Sequence, residues 1–208
     1  RVFDCRRVEQ AANEAGISIR TGYFCNPGAA EQSFELPEDE ALRCYEAAVA
    51  GLAEPDEGGV ILLTLFQLAM VHAHRGDGGG ALAARAVAVS TARGEQWSRS
   101  YAYWAWGFDA WLRGEWAESL RRTREALLLQ REFDDRVGAA LMIELVAWTL
   151  ASRGDVVEAG RLLGAVRAVW HTIGTSIAAF GPHLARHHAH AERRVLEAVR
   201  AERYQRLL

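Results

Sequence analysis

Lysine is absent from the 208 residues, so all 24 basic side chains are arginine. That absence excludes whole mechanisms. A Schiff base to pyridoxal phosphate needs a lysine amine, and a Walker A loop ends in Lys beside Ser or Thr. Cysteine is scarce as well. Cys5, Cys25 and Cys44 form an odd set with no CxxC pair, the usage of a reduced, cytosolic protein. Long apolar runs are missing too, because "VILLTLFQLAMVHA" (60–73) is too short and too interrupted to span a bilayer, and nothing at the N-terminus has the form of a signal peptide. Strong charge of either sign is lacking. A formal net charge of -3 gives no general attraction to phosphate and argues against nucleic acid as the main partner.

What is present is apolar: half of the residues are hydrophobic, enough for one sizeable core in a chain of this length. A helix break is written three times, as "HRGD" (74–77), "LRGE" (112–115) and "SRGD" (152–155). Glycine suits the left-handed residue that ends one helix, and the acidic residue after it suits the positive start of the next. Small residues recur at matching offsets from Gly76, Gly114 and Gly154. Ala69, Gly107 and Ala147 stand seven before; Ala81, Ser119 and Ala159 five after; Ala88, Ala126 and Val166 twelve after. Such columns are expected where antiparallel helices approach closely. Bulky residues recur eight before (Leu68, Trp106, Val146) and eleven before (Leu65, Tyr103, Ile143), as knobs filling the space between hairpins.

"DDRVGAALMIELVAWTLASRG" is apolar on nearly every face, as for a helix sandwiched on both sides. "WAESLRRTREALLLQREF" is amphipathic, with Glu118, Arg121, Arg122 and Glu125 spaced for ion pairs on its wet side. No strand alternation is evident between residues 40 and 208. The spacing matches the tetratricopeptide pattern with longer loops, and predicts an all-α antiparallel helical-hairpin solenoid of three hairpins plus helical ends.

From about residue 43 to 208, "FQLAMVHAHRGD", "RGEQWSRSYAYWAWGFDAWLRGE", "DDRVGAALMIELVAW", "RLLGAVRAVWHTIGT" and "AAFGPHLARHH" resemble the tetratricopeptide region of bacterial LuxR and AfsR-type transcriptional regulators. The resemblance implies a repeat region set between an ATPase module and a DNA-binding helix-turn-helix. Residues 1–36, through "RRVEQAANEAGISIRTGYFCNPGAAEQSF", resemble the C-terminal part of the class V aminotransferase fold of molybdenum cofactor sulfurases. There the cysteine of the Phe-Cys-Asn-Pro-Gly loop carries a persulfide, a role that would fall to Cys25. Desulfuration also needs the pyridoxal electron sink, for which this chain has no lysine. Cys25 is therefore expected to be catalytically silent. A short helix near 6–15 and an extended piece near 17–22 are expected in this segment. The chain opens on Arg1, which reads as a fragment of a longer frame. The division expected is 1–40 as an N-terminal remnant, irregular or α/β, and 41–208 as the repeat domain.

Three clusters are candidates for function. His183 and His187 share a helical face in "HLARHHAH", two imidazoles of a zinc site with no third ligand in view, so no metal is expected. The aromatic run "WSRSYAYWAWGFDAW" lacks the basic surroundings of a base-stacking platform and reads as core. Ten and six residues before each corner glycine stand Phe66 and Met70, Trp104 and Phe108, Glu144 and Trp148, with His74, Trp111 and Leu112 nearby. These positions are expected to line a partner-binding groove, taking a protein or peptide or packing on flanking ATPase and DNA-binding domains. The functional expectation is a non-catalytic, cytoplasmic interaction or sensing module of a LuxR/AfsR-type regulator, with no cofactor. The alternative is an inactive fragment of a pyridoxal-phosphate-dependent class V aminotransferase or molybdenum cofactor sulfurase.

Overall fold

The computed structural model describes residues 58–205, with helical backbone also at 42–43 and 46–47. Cys5, Cys25 and Cys44, and the helix and extended piece expected between 6 and 22, lie outside the described residues. Within them the chain is all α. The order is α1 (Gly58–Arg75), α2 (Gly80–Ala92), α3 (Trp97–Leu112), α4 (Trp116–Gln130), α5 (Arg136–Arg153), α6 (Val156–Ile173), a 3-10 turn (Ile177–Phe180) and α7 (Pro182–Gln205). Helices α1 and α2, α3 and α4, and α5 and α6 pair as hairpins, stacked in series, and α7 closes the row against α5 and α6.

The corners form as their sequence requires. Gly76, Gly114 and Gly154 adopt φ of 78°, 75° and 95°, a region open to glycine at little cost. At Gly154 the glycine N–H donates to Ala151 O (3.2 Å) and the following Asp155 N–H reaches back to Leu150 O (2.9 Å), which satisfies carbonyls left over at the end of α5. The corners at Gly76 and Gly114 repeat the pattern.

Small residues let the paired helices close up. A Cβ placed on Gly107 would stand 2.7 Å from Thr123 Oγ1 and 3.1 Å from the Ser119 carbonyl, so α3 and α4 meet there nearly backbone to backbone. Ala69, Gly107 and Ala147 are all buried, as are Ser119, Ala159, Ala126 and Val166. The first hairpin departs from the expected register: Ala81 and Ala88 are exposed, and Ala83 and Ser90 take their places inside. The cause is the length of the corner. Helix α2 starts four residues after Gly76, whereas α4 and α6 start two residues after Gly114 and Gly154, so every column of α2 moves by two.

The knob columns also split. Leu65 and Leu68 are buried between α1 and α2, but Tyr103, Trp106, Ile143 and Val146 are half-buried. Trp106 borders the second helix of its own hairpin, where the Arg122 guanidinium covers its ring at 3.4 Å. On the wet side of α4, Arg121 and Arg122 both bond Glu118 (2.6 and 2.8 Å), the arrangement expected there.

A well-bonded carboxylate spans each seam. Asp109 of α3 accepts from the Gly79 N–H (2.7 Å) and from Arg113 (3.0 Å), which ties the first corner to the second hairpin. Asp135 caps α5 through the Gly138 N–H and also accepts from Trp97 Nε1 (2.8 Å) and the Tyr101 hydroxyl (2.7 Å), joining the second and third hairpins. Glu144 does the same between the third hairpin and α7.

Candidate interaction groove

The first helix of each hairpin turns the same face to one side, since positions four apart on a helix stack one above the other. On that face the expected groove residues meet in one aromatic row. Ring centroids run Phe66 to Trp104 at 5.8 Å, Trp104 to Phe108 at 5.9 Å, Phe108 to Trp111 at 5.8 Å and Trp111 to Trp148 at 5.6 Å. These separations are ordinary for interacting rings. Met70 joins the same cluster, and His74 lies 5.0 Å from Phe108.

The row is covered. Phe66, Met70, Trp104, Phe108, Glu144 and Trp148 are buried, His74 and Trp111 are half-buried, and Leu112 is exposed. Over the Phe108, Trp111 and Trp148 part of the row lies α7, whose His187 ring stands 5.7, 4.9 and 5.9 Å from those three rings. His183 approaches His74 at 4.8 Å. The sequence places His183 and His187 on one face, and the fold brings His74 of α1 against them from the far end of the stack. No group of three or more His, Cys, Asp or Glu among the described residues stands where it could hold a metal ion.

Glu144 is the polar centre of the aromatic row. It is fully buried, and its two oxygens accept from Trp148 Nε1 (3.0 Å), Trp170 Nε1 (2.9 Å) and His188 Nδ1 (2.8 Å). A buried carboxylate is tolerable only when it is bonded in this way. The hydrogen bond to Glu144 raises the His188 pKa above its ordinary value despite burial, and the Glu144 and Glu192 charges add to that effect. His187, one residue earlier, is pushed the other way, to about 4. Desolvation against the aromatic rings is the main cause, and the neighbouring His74, His183, Arg186 and His190 add to it.

Sequence offsets located the row but not its partners. The offsets place Glu144 on the groove without showing that Trp170 and His188 converge on it, since they lie 26 and 44 residues away. A glutamate inside the otherwise apolar "ALMIELVAW" was the available signal. The remaining indoles are also bonded: Trp104 Nε1 donates to Leu141 O (3.1 Å) and Trp111 Nε1 to Ser152 Oγ (3.0 Å). The row is therefore a bonded framework as well as an apolar one.

No family model matches the chain. Among solved structures it is similar to the nearly identical TPR-like repeats of a kinesin light chain from Podosopora anserina, with TM-score 0.54 and 18% identity over 86% of this chain and 92% of that one. A point variant of the same repeats gives TM-score 0.55 and 17% identity over 99% and 100%. This likeness establishes the tetratricopeptide-like solenoid fold. A separate match concerns 37 residues, 54% identical to a molybdenum cofactor sulfurase of Anopheles gambiae. They make up 18% of the chain and 5% of that enzyme's length. No described helix is long and apolar enough to cross a membrane.

Proposed function

We propose that the chain is a non-catalytic protein-interaction or sensing module whose groove, built on the aromatic row beneath α7, takes a protein or peptide partner. The aromatic row across α1, α3 and α5 carries this reading. An aromatic row with one buried acid at its centre has the composition of an interface anchor region. Stacked hairpins hold such a surface in shape because each repeat is supported by its neighbours. Phe66, Met70, His74, Trp104, Phe108, Trp111, Glu144 and Trp148 are the groove residues on this reading, residues 41–208 the repeat domain and 1–40 a separate segment.

The finer context is a cytoplasmic transcriptional regulator of the LuxR/AfsR type, in which occupancy of the groove biases flanking ATPase and DNA-binding domains. The motifs quoted above support it. Sequencing the reading frame on both sides of this chain tests it: a nucleotide-binding module before and a helix-turn-helix after are expected, and their absence on both sides would remove the regulator context.

A second reading rests on the 37 residues similar to the sulfurase. It makes the chain an inactive piece of a pyridoxal-phosphate enzyme. Titration with pyridoxal phosphate should give no lysine aldimine absorbance in a chain without lysine.

A further inference from the structure

Helix α7 is held differently from the six helices before it. Helices α1 to α6 pair off, whereas α7 follows them without a second helix to complete a hairpin among the described residues. It is the longest of the seven, yet between residues 182 and 200 only Leu184 and Ala191 are buried. Leu184 and Ala191 join the main core, and the contact with the aromatic row and its acid is made by histidines. His188 bonds Glu144 at 2.8 Å and sits 3.4 Å from Glu192, Glu192 in turn pairs with Arg167 of α6, and His187 rests among Phe108, Trp111 and Trp148. An element with few buried apolar contacts and polar anchoring belongs to the low-stability end of a structure and opens locally. The surface beneath it is the reverse: aromatic, rigidly bonded and built around a buried acid.

We propose that α7 is a displaceable occupant of this groove, and that the groove, once α7 swings away, takes an amphipathic partner helix presenting a basic residue to Glu144 and a flat ring to the Phe108, Trp111 and Trp148 cradle. The chemistry of the partner is read from the self-occupant. His188 shows that Glu144 accepts an imidazole N–H donor at hydrogen-bond distance, and a buried acid left without that donor is costly, so any replacement must supply one. His187 shows that the neighbouring cradle accepts an uncharged planar ring. A leucine-only helix would satisfy the cradle and strand the acid. The surface therefore selects for a basic and an aromatic or imidazole residue adjacent in sequence, as they are at 187 and 188.

The inference rests on the groove being a partner surface, and its test reads α7 without needing a natural partner. Hydrogen exchange on the full chain at pH 6.5 should show α7 amides opening at least about tenfold more often than α5 amides. A labelled peptide copying residues 181–200 should bind the His187→Ala, His188→Ala double variant of the full chain about tenfold more tightly than the unaltered chain, because the internal competitor is weakened. A peptide with His188→Ala should lose that binding. Exchange of α7 only together with α5 in the unaltered chain, or equal peptide binding to both chains, would overturn the proposal. The exchange measurement uses no variant and stands even if the double variant misfolds. Failure of a natural partner to bind while α7 exchanges as expected would count against the interaction reading alone.

Discussion

A leucine side chain at residue 107 and a methyl group at residue 164 should act in opposite directions, and the pair tests whether close helix contact organises the fold. At Gly107 a Cβ would stand 2.7 Å from Thr123 Oγ1, 3.1 Å from Ser119 O and 3.4 Å from Leu145 Cδ2. The Thr123 hydroxyl is itself fixed by donating to Ser119 O at 2.8 Å, so it yields only by breaking that bond. The better helix propensity of alanine, about 1 kcal/mol, is set against that strain in Gly107→Ala. Gly107→Leu has no such relief: forcing α3 and α4 apart costs about 1–3 kcal/mol or more, a fall in Tm of roughly 2–12 °C for a chain of this size. Gly164 is helical and exposed in α6, and a Cβ there meets nothing within 4 Å. Gly164→Ala should stabilise by about 0.5–1 kcal/mol, raising Tm by roughly 1–4 °C. Thermal unfolding followed by circular dichroism measures both. An unchanged Tm in Gly107→Leu, or matching losses in the two variants, would refute the packing argument.

Trp104→Ala removes a buried ring and the bond to Leu141 O, and should cost about 3–5 kcal/mol in a denaturant titration. Asp135→Ala removes the cap of α5 and the bonds that Asp135 accepts from the Tyr101 hydroxyl and the Trp97 indole. A loss of about 1–3 kcal/mol is expected, with m-value unchanged. The docking of α7 should be tightest near pH 6.5. His188, with its raised pKa, contributes stability that is complete below 6.5 and is lost as pH rises through the raised value. His187 holds fewer protons when docked, so docking weakens as pH falls from 6.5 towards 4. Hydrogen exchange of α7 across pH, corrected for intrinsic rates, should show both limbs. His187→Phe should flatten the acid limb and His188→Gln the alkaline one. Acid and alkaline limbs identical in both variants would remove the histidines from the linkage.

The hairpins were legible because their signals are local. A glycine with positive φ, an acidic residue after it and small residues one or two turns away are all set within a single helix pair. The register of α2 was not legible by counting from Gly76, since "HRGDGGG" does not declare how many of its glycines belong to the corner. The offset from each glycine put these residues on one helical face, but it could not show their burial, because burial depends on what lies across them. His187 stands 79 residues from Phe108 in the chain, and no periodicity connects α7 to α3. His74, at the end of α1, and His183, near the start of α7, stand 4.8 Å apart through tertiary packing that no local pattern announces. The knob columns were half right for a related reason. Leu65 and Leu68 are covered by α2, while Trp106 reaches past the core to the Arg122 guanidinium.

The acids at the three seams also bear on how the chain should respond to force. Within a hairpin the grip is steric and spread over many contacts, whereas Asp109, Asp135 and Glu144 each concentrate a few short polar links at one joint. Stretched from its two ends, the solenoid should extend in discrete steps, each a seam letting go while the hairpins on either side stay intact, and it should recoil when released.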